Sequence, residues 1–344
     1  MDFSLFYFAD DSSESGDRYR LLMEGARFAD THGFTAVWTP ERHFHPFGGL
    51  YPNPSVTGAA IAAVTERVEI RAGSVVAPLH HPLRIAEEWS VVDNISGGRA
   101  GISFASGWHA TDYALSPENY ADRKRLLDEC MKTVRRLWRG ESLSVKTGVG
   151  ETAEVRIYPP PVSQALPVWV TSAGNVETFR EAGRLGAGVL THLIAQDLGT
   201  LAAKIAEYRK ALAERPGADG WPGHVVLMMH AYLDDNEDAA RELVREPLSE
   251  YMRSSLALLM GSQRKVDLSK LSAEDTEFLV GRAFDRYFDF GLLGTVPKAR
   301  DVVEQFRAAG IDEVACLIDF GVPTDVVLSG LDRLDQLRTA CSVS

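Results

Sequence analysis

Apolar residues recur along this chain in two alternating rhythms. Short continuous runs, from Asp2 to Phe8 and then "TAVWT", "VEIRAGSVV", "RAGISFA", "LPVWVTS", "AGVLTHL", "HVVLMMHAYL" and "DEVACLID", read as strands buried on both faces. Between them apolar positions fall at helical spacing. In "RYRLLMEGARFADTHG" they are Leu21, Leu22, Ala26 and Ala29, closed by His32-Gly33. Over about 118–139 they are Leu126, Leu127, Met131, Val134 and Leu137. Further helices are expected from Pro54, over 82–95, from 175 and over 197–214. Eight strands alternating with helices predict an α/β fold, a closed (β/α)8 TIM barrel, as one domain over 1–344. Two segments break the rhythm. An irregular excursion at 140–166 precedes the fifth strand. An insertion at 234–312 separates strands seven and eight, helical around 237–260 and 273–290, with a mobile lid expected near 261–270.

Composition narrows the function classes. With 45% hydrophobic and 24% charged residues the chain is of ordinary globular type, and no tract is long enough to span a bilayer, so no membrane partner is expected. A net charge of -12 opposes a nucleic-acid partner, whose backbone is bound by clustered Lys and Arg. Cys130, Cys316 and Cys341 are widely separated, and no basic stretch precedes the first apolar run, so a cytoplasmic location is expected.

Chemistry in such barrels gathers where the strands end. Strand two runs into "TPERHFHPFGG", with Glu41, Arg42, His43 and His45. This loop fits a metal site, a flavin pocket or a plain polar turn. Strand three ends at Gly73-Ser74, small enough for a planar ring to approach the backbone, and strand four at Ser106, Gly107, Trp108 and His109. Strand five runs through Thr171, Ser172, Ala173, Gly174 and Asn175 into a helix, a turn suited to an anion. Strand six ends at His192 and strand eight at Asp319. Convergence of His43, His45, His192 and Asp319 on a metal would make a metal-dependent hydrolase. The H-x-H pair follows the second strand instead of the first, and the tip of strand five offers no lysine or histidine as a second-metal ligand, so no metal is assigned.

The runs "ERHFHPFGGLYPNPSVTGAAIAAVTERVEIRAGSVVAPLHHPLRIAEEWSVVDNISGGRAGISFASGW", "PVWVTSAGNVETFREAGRLGAGVLTHL" and "LLGTVPKARDVVEQFRAAGIDEVACLIDFG" resemble the bacterial luciferase-like, flavin-dependent monooxygenases over nearly the whole chain. "TPERHFH", "SGWHATDY", "GAGVLTHL" and "CLIDFGV" resemble the branch found in natural-product biosynthesis, free-standing or within assembly lines. The resemblance implies FMN as reduced cosubstrate (FMNH2), O2 as oxidant, and NAD(P)H acting only through a separate flavin reductase. It implies a cis peptide at Gly73-Ser74 beneath the ring. Ser106-Gly107 would lie near the ring or phosphate, and a phosphate turn would run over Thr171, Ser172, Ala173, Gly174 and Asn175. Arg42 stands where luciferase has its catalytic histidine, Ala105 where it has its reactive cysteine, and Ser106 where it has a phosphate-binding arginine. Aldehyde oxidation with light is therefore not expected, and phosphate binding falls to backbone amides and another cation.

On that resemblance a C4a-hydroperoxide of the flavin would oxygenate a small-molecule or carrier-protein-bound substrate in a dry pocket. His43 and Arg42 are the catalytic candidates, Arg42 pairing with Glu41 or with an anionic part of the substrate. His45, Trp108, His109, His192 and Phe6 are the substrate-side candidates. His80-His81 precede Pro82, so at least one is expected to start a helix. A homodimer is implied by the resemblance. Rival readings are a deazaflavin-dependent oxidoreductase and a non-catalytic partner subunit.

Overall fold

The computed structural model describes residues 1–8, 16–194, 196–217, 220–262 and 273–342, with side chains outside 255–276. The expected lid at 261–270 falls almost wholly outside the described residues. In chain order the strands are β1 (Asp2–Phe6), β2 (Ala36–Thr39), β3 (Glu69–Val76), β4 (Ala100–Ala105), β5 (Leu143–Lys146), β6 (Thr152–Val155), β7 (Val168–Ser172), β8 (Gly188–His192), β9 (Val225–Leu233), β10 (Leu292–Gly294) and β11 (Glu313–Leu317). The helices are α1 (Arg20–Thr31), α2 (Pro54–Ala62), α3 (Pro82–Ser96), α4 (Arg123–Trp138), α5 (Val176–Arg184), α6 (Leu198–Ala213), α7 (Glu237–Ser262), α8 (Ala273–Phe290), α9 (Val296–Ala308) and α10 (Thr324–Ser342).

Eight parallel strands, in the order β9-β11-β1-β2-β3-β4-β7-β8, close into a barrel through the β8–β9 pairing. These are the eight strands expected from the apolar runs. The excursion at 140–166 holds the antiparallel hairpin β5–β6, and β10 adds three residues beside β9. The fourth helix begins at Arg123, later than the pattern predicts, because Pro117–Asn119 forms a separate 3-10 turn and Arg123 bonds back to the Tyr120 carbonyl. Helix starts follow local chemistry. Asn53 caps α2 ahead of Pro54, and the His81 ring accepts from Leu83 N–H ahead of Pro82, so His81 is the helix-starting histidine. No helix among the described residues is long and apolar enough to cross a membrane.

The end of the barrel away from the site is filled by one interlocked polar and aromatic layer. The Arg71 guanidinium lies 4.9 Å from the Trp38 ring centroid and 4.5 Å from that of Trp169, and donates to Glu313 Oε2 at 2.7 Å. Glu313 Oε1 accepts from Ser4 Oγ and from Trp38 Nε1 at 3.0 Å. Gly188 makes room for this layer, since a Cβ there would stand 2.2 Å from Trp169 Cδ1. A filled, cross-braced base fixes the strand register and so sets the positions of the opposite tips.

Candidate active site

The loop after β2 is organised by Glu41. Its side chain is 1% exposed, its Oε1 accepts from His43 Nε2 at 2.8 Å and His80 Nε2 at 2.5 Å, and its Oε2 accepts from Val76 N–H at 2.7 Å. Burial pushes this carboxyl up, but the bonds from His43, His80 and Val76 outweigh it and hold Glu41 below the usual carboxylate range. For His80, burial pulls down and the bond to Glu41 overrides it, so that imidazole is raised.

Arg42 does not pair with Glu41. It turns the other way and gives Nη1 to both carboxylate oxygens of Asp112, because Glu41 already spends its oxygens on two histidines and an amide. The guanidinium carbon is 5.7 Å from the Trp108 ring centroid, and the buried Nε and Nη2 have no hydrogen-bond partner among the described residues. His109 Nδ1 stands 3.6 Å from Asp112 Oδ1, likewise without a hydrogen bond. Burial, and then the field of Arg42, lower His109. His45 braces the loop by accepting from Phe47 N–H at 3.0 Å.

The tips of β3, β4 and β7 form the next wall. Gly73-Ser74 is cis, and a Cβ at Gly73 would lie 2.6 Å from the Phe6 ring, so Phe6 packs directly beneath that backbone. Thr171 Oγ1 joins Ser74 Oγ at 2.5 Å and Ser103 Oγ at 2.7 Å in a row of hydroxyls. Gly107 has φ +64°, and a Cβ there would meet Val76 at 2.7 Å, while Ser106 O accepts from Tyr113 OH.

The turn after β7 is a cradle. Ser172 is buried, Gly174 has φ +116°, and Asn175 caps α5 by accepting from Glu177 N–H at 2.9 Å, with Ala173 exposed between them. A Cβ on Gly174 would stand 3.2 Å from Gln196 Oε1 and 3.3 Å from Lys204 Nζ. Lys204 donates to Gln196 Oε1 at 2.7 Å, and Gln196 Nε2 to the His192 carbonyl at 2.8 Å. A glycine-opened turn at a helix N-terminus, faced by a lysine, fits the phosphate of a flavin mononucleotide. Lys204 is the cation that the fold brings to this turn, on a helix rather than a strand tip.

His192 accepts from Ile194 N–H at 3.3 Å, and burial lowers it to about 4. Behind it, on the seventh barrel strand, His230 is 2% exposed with both ring nitrogens unpartnered among the described residues. Its ring is enclosed edge-on by Tyr251 at 4.5 Å, Phe320 at 5.3 Å and Tyr287 at 5.7 Å. Burial and the field of His192 lower it to about 3. The Tyr287 hydroxyl likewise has no partner among the described residues.

The four groups considered for a hydrolase metal do not converge. His43 serves Glu41, His45 and His192 serve their own loops, and Asp319 accepts from Phe8 N–H at 2.6 Å and Tyr51 OH at 3.2 Å. Glu41, His43 and His80 are the one group among the described residues whose donor atoms lie close enough to hold an ion, all within 4.8 Å of one another. Both histidine nitrogens there aim at the carboxylate in hydrogen-bond geometry.

Residues 1–313 match the family described as luciferase-like monooxygenase. The oxygenase component of the flavin-dependent trigonelline monooxygenase of Acinetobacter baylyi is 25% identical, over 97% of this chain and 93% of that protein. Among solved structures, monooxygenase RslO1 from Streptomyces bottropensis superposes with a TM-score of 0.79 at 22% identity, over 98% of both chains. The oxygenating constituent of 3,6-diketocamphane monooxygenase from Pseudomonas putida, in complex with FMN, gives 0.76 at 18%, over 99% and 98%. An F420-dependent secondary alcohol dehydrogenase gives 0.72 at 18%, over 99% of both. At these identities the structural likeness carries the barrel, whereas the match over most of the sequence carries more: the chain belongs to the luciferase-like monooxygenase family.

Proposed function

We propose that this enzyme is a two-component monooxygenase that takes FMNH2 from a separate flavin reductase and uses O2 to oxygenate a natural-product intermediate, free or held on a carrier protein. The observation that carries the reading is the presence, on one barrel rim, of the Gly174–Lys204 anion cradle and the His43–Glu41 pair. The first suits a phosphate, and the second suits a proton transfer. When bound, the reduced flavin supplies the electrons and the oxygen activation. Thr171, Ser172, Ala173, Gly174 and Asn175, with Lys204, hold the phosphate. Gly73-Ser74 and Ser106-Gly107 face the ring. His43, its Nε2 fixed by Glu41, presents its other nitrogen as the group that takes or gives a proton. Arg42, braced by Asp112 under Trp108, directs its two unused donors to a carbonyl or carboxylate of the substrate. His45, Trp108, His109, His192 and Phe6 complete the walls. The active unit is a homodimer.

Anaerobic titration with photoreduced FMN followed by rapid mixing with aerated buffer tests this. Flavin reoxidation slower than in buffer alone, accelerated by Gly174→Asp, is the expected result. Reoxidation at the rate of free FMNH2, together with tight binding of a reduced deazaflavin, would replace the monooxygenase reading with hydride transfer.

A further inference from the structure

His80 lies outside the expected site residues, yet it shares one carboxylate oxygen with His43. Glu41 Oε1 accepts from both Nε2 atoms, at 2.8 and 2.5 Å, while Oε2 is committed to the Val76 amide. The three side chains grade outward: Glu41 is 1% exposed, His43 11% and His80 29%. One buried negative charge therefore stands between two imidazoles, of which His80 is the more exposed to solvent. Two imidazolium ions there would be like charges within 4.8 Å of one another, facing a single carboxylate.

We propose that His80 is the positioning residue that manages the charge of His43: Glu41 supports one imidazolium at a time, so a proton gained by His43 is matched by one released from His80 to water. The proposal rests on the reading of His43 as the proton-handling group. The step balances without any proton crossing the carboxylate. The lone pair of His43 Nδ1 takes a proton from the reacting molecules, His80 gives its Nδ1 proton to water, and both Nε2–H bonds to Glu41 persist. In reverse, His80 recharges from solvent as His43 delivers a proton inward.

The surrounding charges are consistent with this assignment. From α3, Glu88 favours the charged form of His80, and its own oxygens are engaged by Ser55 Oγ at 2.8 Å and Arg84 Nε at 2.5 Å. From the turn after β4, Tyr113 is pushed up to about 12 by burial and stays neutral. Arg42 is compensated by Asp112. His80 is thus the group in this set that is both raised and in touch with solvent.

The test uses His80→Gln, with His81→Asn as a control that keeps a capping side chain on α3. Histidine-ring NMR of the flavin-free protein should show His43 and His80 titrating as a linked pair, each curve in two steps, and H80Q should leave His43 a single step. In the flavin reaction, H80Q should move the pH midpoint of reoxidation upward by about one unit, a tenfold rate change on the acidic side, with H81N unchanged. Independent single-step titrations in the wild type would overturn the proposal. So would an H80Q defect equal at every pH, or stoichiometric zinc that is retained on dialysis and lost in H80Q. Because the NMR needs no flavin, a protein with no effect on FMNH2 reoxidation would sink the monooxygenase reading while the linkage between the two histidines was still measured.

Discussion

Lys204→Gln isolates the electrostatic part of phosphate binding. Its ammonium is 2.7 Å from Gln196 Oε1 and 3.3 Å from the point a Gly174 Cβ would occupy, so a phosphate seated in the turn lies within direct contact range. Two unit charges about 4 Å apart near a protein surface attract by about 4 kcal/mol at an effective dielectric of ~20. Lys204 is partly exposed, so screening and the desolvation of the ammonium reduce the net gain to about 1–2 kcal/mol. That corresponds to a loss of roughly 5- to 30-fold in FMN affinity at low salt. Riboflavin, which has the ring without the phosphate, supplies the internal control. Flavin fluorescence titrations of wild type and K204Q with both ligands should show weaker FMN binding and unchanged riboflavin binding, and the FMN difference should shrink with added salt. Equal weakening of both would mean that the substitution distorts the barrel rim through Gln196. Unchanged FMN binding would remove Lys204, and with it the cradle, from the phosphate site.

Two further outcomes concern the scaffold and its pH dependence. His192 and His230, at about 4 and about 3, are neutral in the folded chain, whereas their unfolded values lie near 6.5. Their stabilisation is fully present above the unfolded value and is lost as pH falls below it toward the folded values. Each therefore costs about 2 kcal/mol of stability between pH 7 and 5. His230→Phe, matched to its aromatic surroundings, should flatten that decline in urea titrations, and an unchanged slope would show that His230 is not neutral in the fold. In the barrel base, Glu313→Gln leaves the buried Arg71 with only the more exposed Glu69, at 2.7 Å, as its counter-charge and should destabilise by about 3 kcal/mol. A loss under 1 kcal/mol in urea unfolding would show that the pair does not brace the strands.

The barrel was legible because each of its eight strands is buried on both faces, which writes an unbroken apolar run into the sequence. The hairpin β5–β6 was not, since its two strands pair only with each other and their positions alternate between half-buried and exposed. The three residues of β10 are too short for any period to register. At the site the difference between seen and unseen residues has the same physical form. His43, Trp108 and the Ser172–Asn175 turn lie on strand tips, where the sequence order of a barrel already specifies which end they occupy. Lys204 sits on a helix and Asp112 in a turn after a strand tip, and only the fold brings them to Gly174 and Arg42. His230 carried a signal that could have been used: it is the one histidine in the apolar run of β9, and a polar group amid such a run needs either a partner or a purpose. Among the described residues, its two bare nitrogens and the bare Tyr287 hydroxyl make one group of unpaired atoms, and Arg42 with His109 makes the other. In the strand order β9 and β3 are four strands apart either way round, and Arg42 and His109 follow the two strands that flank β3. The unpaired polar atoms thus divide between opposite sides of the barrel, one side built on a guanidinium and the other on a neutral imidazole and a phenol. A substrate that satisfied both would carry an acidic or carbonyl group at one end and an uncharged hydrogen-bonding group at the other.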